Sequence, residues 1–126
     1  MQSEKQALHE YYKQKYPLTL ARDREQIQDA LDRHRRAWQA ACKAAAVLKR
    51  DFGASKVAAF GSLVDRSRFT CWSDIDLAVW DVADEDYFRA LVAVSSICDD
   101  MGVDLVDPDS CKTSVRRTIE SEGVEL

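Results

Sequence analysis

The sequence predicts an α+β fold, in which a long helical segment precedes a small mixed sheet with flanking helices. Two features lead to this prediction. Helix-forming residues fill nearly all of the first fifty positions, and short apolar segments of strand length alternate with helical segments in the rest. The length of 126 residues fits one domain, and the 46% hydrophobic content is enough for a core.

The N-terminal part is expected to be helical. Residues 3–15 predict one short helix, which ends near Pro17. A longer helix is predicted from Leu20 to Phe52, because apolar residues recur there at steps of three and four. Gly53 is expected to end it as a C-cap residue.

This longer helix carries two rows of residues spaced by seven. They are Ile27, His34, Ala41 and Leu48 in one row, and Leu31, Trp38, Ala45 and Phe52 in the next. We expect residues 41–52 to pack in the core of the chain. For the N-terminal half, the pattern fits packing against the chain's own sheet or a seam with a partner or a second copy.

Short strands and two further helices are predicted after residue 53. A helix over residues 84–100 is expected to end before Gly102, and Ser110 is expected to cap a last helix that reaches Ser121. The predicted strands cover residues 56–60, 75–80 and 103–106, with a final short strand over residues 123–126.

Composition and charge exclude several classes of protein. No apolar run reaches the roughly 18 residues that span a bilayer, and the polar N-terminus does not resemble a signal peptide, so a cytoplasmic protein is expected. The net charge of −4 argues against a general nucleic-acid binder. The four cysteines lack a C-x-x-C pair and predict reduced thiols.

Three acidic residues in predicted strands form the candidate catalytic centre. Asp74 and Asp76 lie two positions apart, so both carboxylates point to the same face of a strand. Asp104 lies in an apolar strand, and the three would converge if the two strands are neighbours. Carboxylates held together need a cation, and Mg²⁺ prefers such oxygen ligands, so a site for two metal ions is predicted. Asp107 is the alternative to Asp104, although a turn role before Pro108 is favoured.

Residues that bind phosphate are predicted around a glycine-serine turn. Gly61 follows a strand directly, which lets the backbone approach a phosphate group, and Ser62 adds hydroxyl and N–H donors. Arg66 and Arg68 in the following loop are placed to meet phosphate oxygens or the leaving pyrophosphate.

This segment resembles the minimal nucleotidyltransferases (MNT) of the DNA polymerase β superfamily. Their pattern is a Gly-Ser turn, about ten residues, Asp-x-Asp and a third Asp on a later strand; it corresponds here to residues 61–104. The resemblance covers residues 45–126 as the catalytic domain and leaves residues 1–44 as a helical N-terminal extension. This chain has eleven residues between Ser62 and Asp74, and Arg66-Ser67 where many relatives have Arg-Gly.

The resemblance implies that Asp74 and Asp76 bind Mg²⁺, that Gly61 and Ser62 hold the phosphates of an NTP, and that Asp104 is the third acid. Ser73, directly before Asp74, is a further candidate for phosphate binding. The resemblance also implies the polymerase-β-like fold and transfer of AMP from ATP. Many small members are similar to antitoxins that silence a HEPN-family ribonuclease toxin by AMPylation, so a partner protein of that family is expected.

Two other functions stay open from the sequence. The chain could modify a hydroxyl of a small molecule, or it could neutralise a partner by binding alone. Trp72 and Phe69 flank the predicted site, where they could stack on a base or cover the edge of the sheet.

Overall fold

The computed structural model describes Ala7, residues 20–98 and residues 101–126, and places them in an α+β fold. The helices are α1 (Leu20–Asp51), α2 (Tyr87–Ile97) and α3 (Thr113–Glu122). The strands are β1 (Lys56–Phe60), β2 (Ile75–Trp80), β3 (Val103–Val106) and β4 (Val124–Glu125). Among the helices in the described part of the chain, none is long and apolar enough to cross a membrane.

Helix α1 ends in a backbone turn that depends on Gly53. The Ala54 N–H donates to the Leu48 carbonyl oxygen in the last turn of α1 at 3.1 Å, and Gly53 has a φ of +72°, in the left-handed region typical of a glycine that ends a helix. The predicted C-cap at Gly53 is therefore confirmed. The turn sends the chain back along α1 into strand β1.

The four strands form one mixed sheet in the order β3-β2-β1-β4. β1 pairs antiparallel with both β2 and β4, and β2 pairs parallel with β3. Residues of each strand alternate between two faces. The sheet therefore buries side chains on both sides in the centre.

The face of the sheet beneath α1 and α2 carries the larger core. Small residues of α1 let the helix approach the sheet closely: Ala37, Ala41, Ala44 and Ala45 are all at most 3% exposed. The strand residues in this core are Val57, Ala59, Ile75, Leu77 and Val79. The opposite face packs against α3 in a smaller core of Ala58, Phe60, Ala78 and Ile119.

Both seven-residue rows of α1 face the interior of the chain. Ile27, His34, Ala41 and Leu48 are each at most 5% exposed. In the second row, Trp38 and Phe52 are half-buried and pack against the larger core. The expectation of core packing for residues 41–52 is confirmed. In the N-terminal half of α1, Ile27 and His34 of the first row are also buried within this chain.

Several predicted boundaries differ from the structure. Residues 84–86 form a short 3₁₀ turn and α2 ends at Ile97; residues 99 and 100 lie outside the described residues. Ser110 does not cap α3, because its hydroxyl donates to Asp107 and the helix begins after Lys112. The predicted helix over residues 3–15 lies outside the described residues. The division into an N-terminal extension of residues 1–44 and a catalytic domain of residues 45–126 stays a prediction, and residue 44 lies within α1.

None of the four cysteines, all of which the structure describes, takes part in a disulfide bond, which agrees with the predicted reduced thiols. Cys42 and Cys71 are exposed, whereas Cys98 is buried. The protein is therefore held together by its core and backbone pairing rather than by disulfide bonds.

Candidate active site

Asp76 and Asp104 lie opposite each other on neighbouring parallel strands. The register of β2 and β3 pairs Asp76 with Asp104 and Ile75 with Val103. Paired residues on adjacent strands point to the same face and their backbones lie about 4.8 Å apart. The prediction that the Asp104 strand neighbours the Asp74–Asp76 segment is thus confirmed, and both strand carboxylates lie on the face that also carries α3.

Two glycines make room for the carboxylates of the Asp-x-Asp pair. A Cβ atom added to Gly61 would lie 2.7 Å from Asp76 Oδ2, and one added to Gly102 would lie 2.6 Å from Asp74 Oδ1. Each carboxylate oxygen therefore occupies the space that a side chain at the glycine would fill. Gly61 follows β1 and Gly102 precedes β3, so the two carboxylates lean toward opposite neighbours of β2.

The backbone of Gly61 adopts a conformation that suits glycine. Its φ is +74°, in the left-handed region. Residues 61–63 form a single 3₁₀ turn, in which the Val64 N–H donates to the Gly61 carbonyl oxygen at 3.2 Å. The predicted phosphate-binding pair, Gly61 and Ser62, thus lies directly beside Asp76 at the end of β1.

Burial and the charges of its neighbours both act on the carboxylate of Asp76. Burial, followed by the charges of Asp104 and Asp74, raises the pKa of Asp76 from 3.8 to about 6. The side chain is half-buried, while Asp74 and Asp104 are exposed. The charges of Asp104 and Asp74 therefore reach Asp76, and the ionised form of Asp76 is the one that they destabilise.

The donor set has the chemistry that Mg²⁺ requires, although the side chains are not gathered around a point. All three residues offer carboxylate oxygens, the ligands that this hard cation prefers. Within residues 20–98 and 101–126, no group of three His, Cys, Asp or Glu side chains has metal-binding geometry. Asp74 and Asp76 lean apart, and a cation bound near them would offset both the burial of the Asp76 charge and its repulsion by Asp104 and Asp74, which together raise the pKa of Asp76.

The loop between the glycine-serine turn and Asp74 is closed by its own hydrogen bonds. Ser73 Oγ accepts from the Thr70 N–H at 2.9 Å, and the Ser73 N–H donates to the Thr70 carbonyl oxygen at 3.1 Å. Ser73 therefore shapes the turn that leads into Asp74. Its predicted contact with phosphate would be additional to this structural role.

The two loop arginines are both exposed. Arg68 pairs with Asp65 at 2.9 Å and with Glu122 of α3 at 3.1 Å, so it ties the loop to that helix. Phosphate contact by Arg68 would require these two ion pairs to open, and phosphate contact by either arginine stays a prediction.

Phe69 and Trp72, which both flank the site in sequence, occupy opposite environments. Phe69 is 6% exposed and belongs to the larger core, whereas Trp72 is 87% exposed. The backbone N–H of Trp72 donates to Thr70 Oγ1 at 3.2 Å, so the backbone is held in a turn while the indole ring is exposed to solvent. Of the two, Trp72 alone is placed to meet a base or a partner.

The surroundings of two side chains near the site, His34 and Tyr87, could not be predicted from the sequence pattern. His34 of α1 donates from Nε2 to the Leu63 carbonyl oxygen at 2.7 Å, 29 positions away along the chain. The Tyr87 hydroxyl is buried without a hydrogen-bond partner, and burial, Asp107 and Asp104 raise the pKa of Tyr87 to about 12. Such contacts join distant segments, so local periodicity does not reveal them.

Asp107, the alternative third acid, closes a turn. Its Oδ1 accepts from the Asp109 N–H at 2.9 Å and its Oδ2 accepts from the Ser110 hydroxyl at 3.1 Å. It follows β3 rather than pairing across from Asp76. The turn role favoured by the sequence is confirmed, and Asp104 is the acid that faces the Asp-x-Asp pair.

Solved structures share the fold of this chain. One is a toxin–antitoxin complex with AMP-PNP, which is 26% identical over 66% of this chain and 69% of that chain, with a TM-score of 0.54. A second is the MntA–HepT toxin–antitoxin, 23% identical over 70% of this chain and 69% of that chain, with a TM-score of 0.52.

A third similar structure is an MntA–HepT mutant in which two aspartates two positions apart are replaced by glutamate. It is 26% identical over 62% of this chain and 65% of that chain, with a TM-score of 0.50. No model of a known protein family matches the chain, and neither does any curated protein.

Proposed function

We propose that this chain, which has the polymerase-β-like fold of a minimal nucleotidyltransferase and resembles the antitoxin of HEPN–MNT pairs, transfers AMP from ATP to a hydroxyl group of a partner protein. The observation that carries the proposal is the register of β2 and β3, which sets Asp104 across from Asp76 beside the Gly61–Ser62 turn. Three carboxylates and a glycine-serine turn are the parts that the reaction needs.

The similar structures support both the nucleotide and the partner. One of them contains AMP-PNP, an analogue of ATP, and the same complex joins a toxin with an antitoxin. Another carries substitutions at two aspartates with the spacing of Asp74 and Asp76. We therefore propose ATP as the substrate of this chain and a HEPN-family toxin as its acceptor.

The proposed reaction is an in-line displacement at the α-phosphorus of ATP. The oxygen of the acceptor hydroxyl forms a bond to phosphorus, and the bond from phosphorus to the bridging oxygen breaks. Pyrophosphate leaves with that electron pair. The hydroxyl proton passes to Asp104, whose exposed side chain can return it to solvent.

Mg²⁺ is the proposed cofactor, held by Asp74, Asp76 and Asp104. When bound, it supplies positive charge to the phosphate oxygens and to the leaving pyrophosphate. The protein residues keep their own roles: Gly61 and Ser62 orient the phosphates, and Asp104 orients the acceptor hydroxyl. Two ions are proposed, since three carboxylates with substrate phosphates provide enough oxygen ligands for both.

Neutralisation of the partner separates catalysis from simple binding. The candidate partner is a small helical protein with an Arg-x4-6-His motif encoded beside this chain, and its ribonuclease activity is measured after incubation with the chain, ATP and Mg²⁺. The wild type is expected to abolish that activity. Asp74→Asn with Asp76→Asn is expected to leave it intact while the two proteins still co-purify.

Two controls make the result specific. Asp29→Asn changes the charge of an exposed residue on α1 and should neutralise as the wild type does. Equal neutralisation by the Asp74→Asn/Asp76→Asn variant, or by the wild type without nucleotide, would show that the chain acts by occlusion. Transfer to a small-molecule hydroxyl would instead leave the partner unmodified while ATP is consumed.

A further inference from the structure

A buried histidine connects α1 to the turn that follows β1. His34 is 5% exposed, and its Nε2–H donates to the Leu63 carbonyl oxygen at 2.7 Å. Leu63 is the last residue of the 3₁₀ turn that begins with Gly61 and Ser62, and its own side chain is fully buried in the larger core. The end of the turn is therefore held at two points, through its side chain and through its carbonyl oxygen.

Aromatic contacts fix the imidazole ring itself. The ring of Phe69 meets the imidazole edge-on, with centroids 5.0 Å apart, and Trp38 lies at 6.4 Å in a similar orientation. Phe69 belongs to the loop that returns from the turn toward Asp74. One histidine thus contacts both the start and the return of the segment that carries the candidate site.

We propose that His34 is a positioning residue for nucleotide binding, because it fixes the Gly61–Ser62 turn against α1 through the Leu63 carbonyl oxygen. The inference rests on the proposed function, in which that turn holds the phosphates of ATP. A buried carbonyl oxygen that loses its donor carries a large free-energy penalty, so the turn shifts to find another partner. The shift moves Ser62 relative to Asp76.

The test compares substitutions at His34 that keep or remove the donor. His34→Gln retains an N–H donor on a side chain of similar reach, whereas His34→Leu removes it at similar volume. His34→Met also lacks the donor and takes the place of His34→Leu should the latter not fold. Val94→Ala is the matched control, because Val94 is fully buried on α2 and its truncation should lower stability while leaving the hydrogen bond from His34 to Leu63 in place.

The dissociation constant of AMP-PNP with Mg²⁺ is measured by calorimetry, together with the Tm of each variant. His34→Leu is expected to raise the dissociation constant about tenfold, which is the effect of a buried hydrogen bond of ordinary strength. His34→Gln is expected to stay within about twofold of the wild type. Val94→Ala is expected to lower Tm with the dissociation constant unchanged.

A spectroscopic readout accompanies the binding measurement. In protein labelled with ¹⁵N-histidine, the Nε2 resonance of His34 is expected to show a protonated nitrogen and to shift when AMP-PNP and Mg²⁺ are added. A histidine with a structural role alone would hold its chemical shift on nucleotide addition.

The outcomes distinguish this inference from the proposed function. Nucleotide binding by the wild type that His34→Leu or His34→Met leaves unchanged overturns the positioning role and leaves the proposed function standing. Failure of the wild type to bind nucleotide overturns the proposed function, and the positioning role falls with it.

Discussion

At the residue scale, the candidate site depends on atoms that lie beside Asp74 and Asp76 rather than on these two residues alone. Gly61 and Gly102 leave space for one carboxylate each. Asp104 adds a third negative charge across the parallel strand pair. Substitutions at these positions should therefore displace or remove a carboxylate of the site, and should reduce activity by more than the loss of stability alone would.

The raised pKa of Asp76 predicts that stability falls as pH rises. The folded protein holds a proton on Asp76 up to about pH 6, whereas the unfolded chain releases it near pH 3.8. Between these values the native state binds more protons, so the free energy of unfolding decreases with pH. Asp76→Asn should be more stable than the wild type by about 1–2 kcal/mol at pH 8 without divalent ions, allowing for partial solvent screening.

Urea denaturation at pH 4, 6 and 8 in the presence of a chelator checks this prediction. The difference between Asp76→Asn and the wild type should be smallest at pH 4 and reach its full size above pH 6. Asp29→Asn provides the control for loss of one exposed negative charge. A difference that is the same at all three pH values would contradict the raised pKa of Asp76.

Gly61 and Gly53 give a matched pair for a second prediction. Both have φ values above +70°, but a Cβ at Gly61 would meet Asp76 Oδ2 at 2.7 Å, whereas nothing lies within 4 Å of one at Gly53. Each Gly→Ala substitution should cost about 1–2 kcal/mol of stability from the backbone conformation. Gly61→Ala alone should also displace Asp76 and abolish nucleotidyl transfer.

Denaturation curves and a transfer assay with labelled ATP measure the two effects separately. Activity in Gly53→Ala serves as the reference for a protein of reduced stability. Comparable activity in both variants would show that the contact between Gly61 and Asp76 has no part in the reaction.

At the element scale, α1 is packed through alanines rather than large side chains. Ala37, Ala41 and Ala44 are fully buried, and Ala45 is nearly so. The helix therefore lies close to the sheet, with no space for longer side chains at these positions. This close approach brings His34 within reach of the turn after β1.

The same substitution, alanine to leucine, tests that packing at Ala44 and at Ala46. Ala44 is buried and Ala46 is exposed on the same turn of α1. Ala44→Leu should destabilise the protein by about 1–3 kcal/mol through overpacking, and Ala46→Leu should change stability by less than about 0.5 kcal/mol. Chemical denaturation measures both, and equal effects would mean that α1 does not contact the sheet through this face.

Much of the element order could be predicted because each element is encoded locally. The bounds of β1, β2 and β3 follow from short apolar runs, and Gly53 marks the end of α1. The cap of α3 could not be predicted in this way, since Ser110 has a competing partner in Asp107. From the local sequence, Ser110 could cap α3 or donate to Asp107, and only the folded structure shows that it donates to Asp107.

The position of Asp104 beside Asp76 could be predicted from the sequence for the same reason. Spacing alone places Asp74 and Asp76 on one face, and the apolar surroundings of Asp104 indicate a strand acid. The contact between His34 and Leu63 joins residues 29 positions apart, and no periodicity encodes it. The ion pair of Arg68 with Glu122 of α3 is likewise a product of the fold rather than of the local sequence.

At the scale of the whole molecule, the larger core lies on one face of the sheet and the candidate catalytic carboxylates of Asp76 and Asp104 lie on the other. α1 and α2 bury one face, while α3 covers only part of the other, and the acidic residues lie at the edge of that second face where β1 ends and β2 begins. The exposed Trp72 lies on the loop next to this edge. The arrangement leaves the carboxylates open to a nucleotide and an acceptor together.

Transfer of label from ATP to the partner protein tests the central claim most directly. The chain and its candidate partner are incubated with Mg²⁺ and ATP labelled with ³²P at either the α or the γ position. The account predicts that only the α label appears on the partner and that Asp74→Asn with Asp76→Asn eliminates it. Absence of α label on a partner that still binds, with ATP and each of the other three NTPs, would contradict nucleotidyl transfer as the function of this chain.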